Sequence, residues 1–153
     1  MKVIFLDIDG VLNCQSSQSS CHGMMGIDDD KVKKLKEIVK ATGAKIVLTS
    51  TWKTDWQKVY KEQQGYMANY LDKKLKRQGL IIMDKTKGTS VRRGQGICDW
   101  LNGRKIESFV ILDDEDFEYQ EVRVADRVVK TSFYNDNGGL QEEEMNQAIE
   151  MLT

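Results

Sequence analysis

The chain has 153 residues, with 23 Lys and Arg against 24 Asp and Glu, 12 Gly, three Cys, one His and no Pro. That length suits one domain spanning residues 1–153, and a 31% charged fraction at a net charge of −1 excludes the composition of a disordered chain. No apolar run approaches the roughly 18 residues of a membrane span, and the first strand reaches Asp7 too soon for a signal-peptide hydrophobic region, so a soluble cytoplasmic protein with no membrane partner is expected.

Residues 2–6 (Lys-Val-Ile-Phe-Leu) form a nearly continuous apolar run that reads as a buried central strand, ending abruptly at Asp7-Ile8-Asp9-Gly10. The loop beyond carries a polar tract at residues 15–20, flanked by Cys14, Cys21 and His22. A Cys-x6-Cys-His spacing matches no usual zinc pattern, and three cysteines without a dense framework fit a reducing compartment. Val32, Leu35, Ile38 and Val39 recur at helical spacing between Asp28, a capping residue, and Gly43, a stop. A second strand, residues 45–48, ends in Thr49-Ser50-Thr51. A helical stretch then starts near Trp52, carries Trp56, Val59 and Tyr60, and continues in broken form through Tyr70, Leu71 and Leu75, with Gly65 weakening its middle. Residues 80–83 suit a short strand and residues 94–101 a short helix stopped by Gly103. A third main strand at residues 108–112 ends in Asp113-Asp114. Val128-Val129 mark an edge strand, and residues 140–152 a closing helix with Met145, Ile149 and Leu152 inward.

Strands alternating with helices imply an α/β fold with a mostly parallel sheet covered on both faces, and such sheets bind ligands at the carboxyl ends of their strands. That rule gathers Asp7, Asp9, Thr49, Ser50, Asp113 and Asp114 on one edge. Four carboxylates in a partly desolvated site repel one another unless a cation sits among them. Oxygen donors without His or Cys call for a hard divalent ion, Mg2+, which suits phosphate chemistry. Gly10 lets the chain turn so that Asp7 and Asp9 face one pocket.

The run Val3-Ile4-Phe5-Leu6-Asp7-Ile8-Asp9-Gly10-Val11-Leu12-Asn13 resembles the first motif of the haloacid dehalogenase (HAD) superfamily, a hydrophobic strand followed by Asp-x-Asp-Gly. Ile46-Val47-Leu48-Thr49-Ser50 resembles the second motif, and the strand ending in Asp113-Asp114 the fourth. The third motif, a Lys or Arg ahead of the last core helix, falls to Arg93, with Arg92 and Lys87 as rivals. Together with Thr51-Trp52-Lys53, Arg93-Gly94, Trp100-Leu101 and Gly139-Leu140, these runs are similar to the small HAD domains that occur alone or fused in "Swiss Army Knife" RNA-repair proteins. Val11 departs from the Thr that many phosphatases of the superfamily carry, and Arg93 from the more usual Lys.

The resemblance implies a three-layer αβα Rossmann-like core with no cap or a minimal one, and a Mg2+-dependent phosphomonoesterase working through an aspartyl-phosphate. By it, Asp7 is the nucleophile, and Asp9 protonates the leaving oxygen and then activates water. Mg2+ would be held by Asp7, the backbone carbonyl of Asp9 and Asp113, with Asp114 in support. Thr49 or Ser50, Gly10 and Arg93 would bind the phosphoryl group. The sequence leaves open which of Thr49 and Ser50 points inward, since a one-residue register change exchanges the two faces.

Residues 13–28 read as only a loop, and residues 52–87 hold too little for a separate lid, so an open site is expected that admits nucleotides, phosphorylated nucleic-acid ends or phosphoproteins. Residues 73–93 carry eight basic residues against Asp84 alone, a net +7 that reads either as a phosphate-tracking surface or as a solvated helix face. Trp52 and Trp56 are placed either to stack on a base or to fill core. Two other classes remain on the same fold: a noncatalytic phosphate- or nucleic-acid-binding domain, and a phospho-acceptor signalling module. Receiver modules, however, carry their acidic pair on the first strand and the acceptor Asp after the third, the reverse of the order here.

Overall fold

In β1 (Lys2–Leu6) every residue after Lys2 is buried, yet alternate side chains serve different cores, with Ile4 and Leu6 on one face and Val3 and Phe5 on the other. A strand buried on both faces belongs at the centre of a covered sheet. The computed structural model, which describes residues 1–153, places it there. The other strands of this sheet are β4 (Lys45–Leu48), β5 (Ile82–Lys85), β6 (Ser108–Asp113) and β7 (Val128–Lys130). They pair in the order β5-β4-β1-β6-β7, each parallel to its neighbours.

Helices α1 (Asp29–Thr42), α2 (Tyr66–Lys76) and α4 (Glu142–Leu152) cover the Ile4 and Leu6 face, supplying Val32, Leu35, Leu71, Leu75 and Leu152 among others. Helix α3 (Arg93–Leu101) covers the opposite face with Ile97 and Trp100, joined by Tyr119 and Val124. Trp100 meets Phe5 edge to face, with ring centroids 5.5 Å apart. The fold is a three-layer, Rossmann-like α/β core, and no helix is long and apolar enough to cross a membrane.

Three expectations need correction. The strand expected at residues 80–83 lies at Ile82–Lys85, because Leu80 and Ile82 turn into the core while Ile81 faces solvent. The helix expected from Trp52 is replaced by 3-10 turns at Thr51–Thr54 and Lys61–Gln63 before α2 begins. Gly65 is therefore the N-cap of α2 rather than its weak middle, and a Cβ there would lie 2.0 Å from Asp55 Oδ2. Residues 13–28 are not only a loop: β2 (Ser20–Cys21) and β3 (Met24–Met25) form an antiparallel hairpin. Its turn residues, His22 and Gly23, have φ of 51° and 78°, the positive pair a tight hairpin requires.

Trp56 is fully buried, donates from Nε1 to Asp72 Oδ1 at 3.0 Å and lies under the Lys61 ammonium; Trp52 is buried in the same core and also lines a cleft. Trp56→Ala is expected to cost about 3–5 kcal/mol in denaturant unfolding, the usual toll of emptying a large aromatic site.

Candidate active site

Strand register brings the polar residues together. Leu6 pairs with Leu48 and Leu112, and Leu48 with Lys85, so the next residues, Thr86, Thr49, Asp7 and Asp113, form one row across four strands. The ladder hydrogen bonds continue through this row, from Asp7 N–H to the Leu112 carbonyl at 3.0 Å and from Thr49 N–H to the Leu6 carbonyl at 2.9 Å. Alternation turns the row toward the α3 face, because Leu6 points to the other.

Arg93, the first residue of α3, reaches into this row. Its Nη1 lies 2.9 Å from Asp7 Oδ1 and 3.0 Å from Asp113 Oδ2, its Nε donates to the Ser90 carbonyl, and its guanidinium lies 4.2 Å from the centroid of the Phe117 ring. The two rivals do not reach the carboxylates: Arg92 is exposed and faces Glu118 at 3.7 Å, and Lys87 is exposed. Asp113 is held firmly, since Oδ2 also accepts from Tyr119 Oη at 2.6 Å and Oδ1 from the Glu115 N–H at 3.1 Å, which leaves Oδ1 room for one further partner. Glu118 accepts from the N–H of Gly94 at 2.8 Å, tying the start of α3 to the segment after β6.

Asp9 is exposed where Asp7 is buried. Its carboxylate is held by Trp52 Nε1 at 3.1 Å and by Asn13 Nδ2 at 2.9 Å. Asn13 also accepts from the Gly10 N–H at 2.9 Å and donates to the Gly26 carbonyl, so one amide fixes the whole turn. Gly10 serves that turn and not as an open phosphate donor: its carbonyl is taken too, by Thr131 Oγ1. Its φ of +86° suits glycine, and a Cβ on it would lie 2.2 Å from Asp114 Cγ.

Asp7 and Asp9 open onto a cleft of about 450 Å3. One wall is polar, with Arg93, Asp114 and Glu115; the other is apolar, with Met24, Met25, Met67, Trp52, Phe133 and Tyr134. Ser50 Oγ is occupied as the acceptor for the Trp52 N–H at 3.2 Å, whereas Thr49 Oγ1 is buried with no partner.

Asp7, Asp113 and Asp114 offer carboxylate oxygens that lie within 4.8 Å of one another. Against three carboxylates the site sets one guanidinium. Burial, with Asp113 beside it, pushes the Asp7 carboxyl well above the ordinary range despite Arg93, and burial raises Asp114 as well, with Asp113 adding to it. This oxygen-only donor set, short of positive charge, fits a hard divalent cation. Asp9's carboxylate stands outside the set, and Cys14, Cys21 and His22 form no such group.

Comparison with known proteins agrees with this geometry. The family described as the HAD domain in Swiss Army Knife RNA repair proteins matches residues 3–145. The chain belongs to that family. No curated relative and no solved structure matches it. For this HAD domain the family suggests a HAD-type phosphohydrolase, and the buried aspartate cluster is compatible with a metal ion.

Motif reading reached the carboxylates and Arg93 but not Tyr119, Asn13 or Lys53, whose roles depend on contacts across 6, 4 and 33 residues of chain. Trp52 stands next to the second motif in the sequence, but its bond to Asp9 spans 43 residues and is a product of the fold.

Raised carboxyl pKa values mean that the metal-free folded protein keeps protons that the unfolded chain releases. Its stability should therefore fall as pH rises from about 4 through the raised values, then level off. A divalent ion competes with those protons, so saturating MgCl2 should raise Tm by about 5–10 °C at pH 7.5 and by much less at pH 5, read by thermal unfolding against an EDTA control. Gly10→Ala should lose most of that gain, because its methyl group displaces Asp114, and should cost about 1–2 kcal/mol of backbone strain as well.

Proposed function

We propose that this HAD domain is a Mg2+-dependent phosphomonoesterase acting on nucleotides or phosphorylated nucleic-acid ends through an aspartyl-phosphate on Asp7. The observation that carries the reading is the division of labour between two carboxylates two residues apart. Asp7 is buried against Arg93 among the metal-fitting oxygens, and Asp9 is held in the outer part of the same cleft by Trp52 and Asn13.

Asp7, Asp113 and Asp114, with the Asp9 carbonyl, would hold Mg2+, which when bound offsets negative charge on the carboxylates and on the phosphoryl oxygens. An Asp7 oxygen attacks phosphorus in line while the bond to the leaving oxygen breaks, and Asp9 gives that oxygen its proton. The now ionised Asp9 then takes a proton from water, which attacks phosphorus and breaks the bond to Asp7, releasing phosphate and restoring both carboxyl groups. Arg93 steadies Asp7 and meets charge on the transferred group. Of the two hydroxyls, Thr49 is favoured as the phosphoryl donor, because its Oγ1 is buried, unpartnered and level with Asp7, whereas Ser50 caps the following turn. The apolar wall from Met24 to Tyr134 suits a leaving group with a flat apolar part, such as a nucleoside, and the family's RNA-repair description points the same way.

The test is Mg2+-dependent phosphate release from p-nitrophenyl phosphate, mononucleotides and 5′- or 3′-phosphorylated oligonucleotides. Asp7→Asn is expected to abolish release, and Arg93→Met to lower kcat about 10²–10³-fold, the scale of losing one preorganised charge contact. Release that persists in Asp7→Asn would remove Asp7 as nucleophile.

A further inference from the structure

Three lysines of the chain are buried, and two of them have a carboxylate: Lys31 lies 2.8 Å from Asp28, and Lys74 pairs with Asp29. The third, Lys53, is 6% exposed and has no carboxylate partner. Its ammonium donates to Thr86 Oγ1 at 3.0 Å, and its neighbours Arg93 and Lys85 are both positive. Burial first, and then these cations, pull its pKa down. A buried ammonium without a counter-charge is costly, and such groups are normally paired.

Lys53 belongs to the Thr51–Thr54 turn, which divides two concavities. Thr51 and Trp52 line the Asp7 cleft, while Lys53 and Thr54 line a second pocket of about 510 Å3. This pocket continues through Lys85, Thr86, Lys87, Thr89 and Ser90, and neither an acidic nor an apolar side chain lines it. Lys85 is already spent on the carbonyls of Lys53 and Trp56, at 2.8 and 2.7 Å, where it fixes the turn. The Thr54 hydroxyl is spent on the Thr51 carbonyl, which leaves the remaining donors of Lys53, the exposed Lys87 and the Thr89 and Ser90 hydroxyls to meet an anion. Thr86 lies in the same row as Asp7, two strands away, hence about 10 Å between backbones. The loop carrying Ser90 also aims Arg93 at Asp7, so the two pockets share a rim.

We propose that the second pocket binds an internucleotide phosphate of a nucleic-acid strand whose terminal phosphate lies at Asp7, with Lys53 and Lys87 as its counter-charges. The inference rests on the phosphomonoesterase reading and narrows it from nucleotides in general to a strand of at least two nucleotides. A mononucleotide with one phosphate leaves Lys53 unpaired; a strand supplies the missing anion from its backbone.

Phosphate release from p-nitrophenyl phosphate, a mononucleotide and terminally phosphorylated hexanucleotides, in the wild type and in Lys53→Met and Lys87→Ala, tests this. The wild type should prefer a hexanucleotide over the mononucleotide at least tenfold in kcat/KM at low salt. Each variant should cut that preference severalfold relative to its own p-nitrophenyl phosphate rate, and should reduce the salt slope by about one. Equal use of hexanucleotide and mononucleotide by the wild type would overturn the proposal. So would a loss in Lys53→Met that is equal for all three substrates, since Lys53 would then serve the transferred phosphoryl group. Should Lys53→Met not fold, Lys87→Ala, a surface change, decides alone. If no substrate is hydrolysed, the phosphomonoesterase reading fails by itself. Fluorescence anisotropy with an unphosphorylated hexanucleotide then judges the pocket: binding that Lys87→Ala weakens supports it, and no binding overturns it.

Discussion

Parallel pairing of β1 with β6 forces Asp7, Asp113 and Asp114 into one largely buried space that holds a single guanidinium, Arg93. Like charges so placed are tolerable only if each is held where it is and a cation completes the balance. Much of the surrounding structure answers the first need. Tyr119 and the Glu115 N–H fix Asp113, Phe117 backs Arg93, and Glu118 ties the start of α3 to the segment after β6.

Within that frame the carboxylates are unlike one another. Asp113 is held at Oδ2 by Arg93 and Tyr119, while Oδ1, with one N–H donor, keeps capacity for a cation. Asp7 is buried, with Arg93 as its cation and the cleft in front of it. Asp9 is exposed and held sideways by an indole and an amide. Only Ile8 separates Asp7 from Asp9, yet Gly10, with φ of +86°, makes the turn that places them at different depths. The chemistry proposed for each follows from its surroundings rather than from its residue type.

The basic segment noticed in the sequence divides when folded. Lys73, Lys74, Lys76 and Arg77 lie at the end of α2, where Lys74 pairs with Asp29, and none of them lines the cleft or the second pocket. Lys85, Lys87, Arg92 and Arg93 end β5 or follow it and fall on the site's edge. A net +7 over residues 73–93 thus overstates the charge near the cleft by about half, but Lys53, outside that segment, adds the one buried lysine that lacks a carboxylate. The cleft's other side is apolar, built partly from the β2–β3 hairpin.

Local pattern alone was enough for the layers and for the candidate carboxylates that the fold brings together. Apolar runs that stop at Asp7, Thr49 and Asp113 declare parallel strands with chemistry at their carboxyl ends, and Asp28 and Gly43 bracket α1 as capping preferences require. Where one residue's meaning depended on a distant neighbour, the sequence was silent. Gly65, at the start of α2, faces Asp55 so closely that no Cβ fits, a contact no local pattern shows. Arg93 is distinguished from Arg92 by which side of α3 faces β1, and Thr49 from Ser50 by strand register. Periodicity and composition are properties of short windows, so they determined elements and candidate residues. Which cation meets which carboxylate, which hydroxyl stays unpaired and which lysine is left without an anion are properties of packed surfaces, and only the tertiary structure decided them.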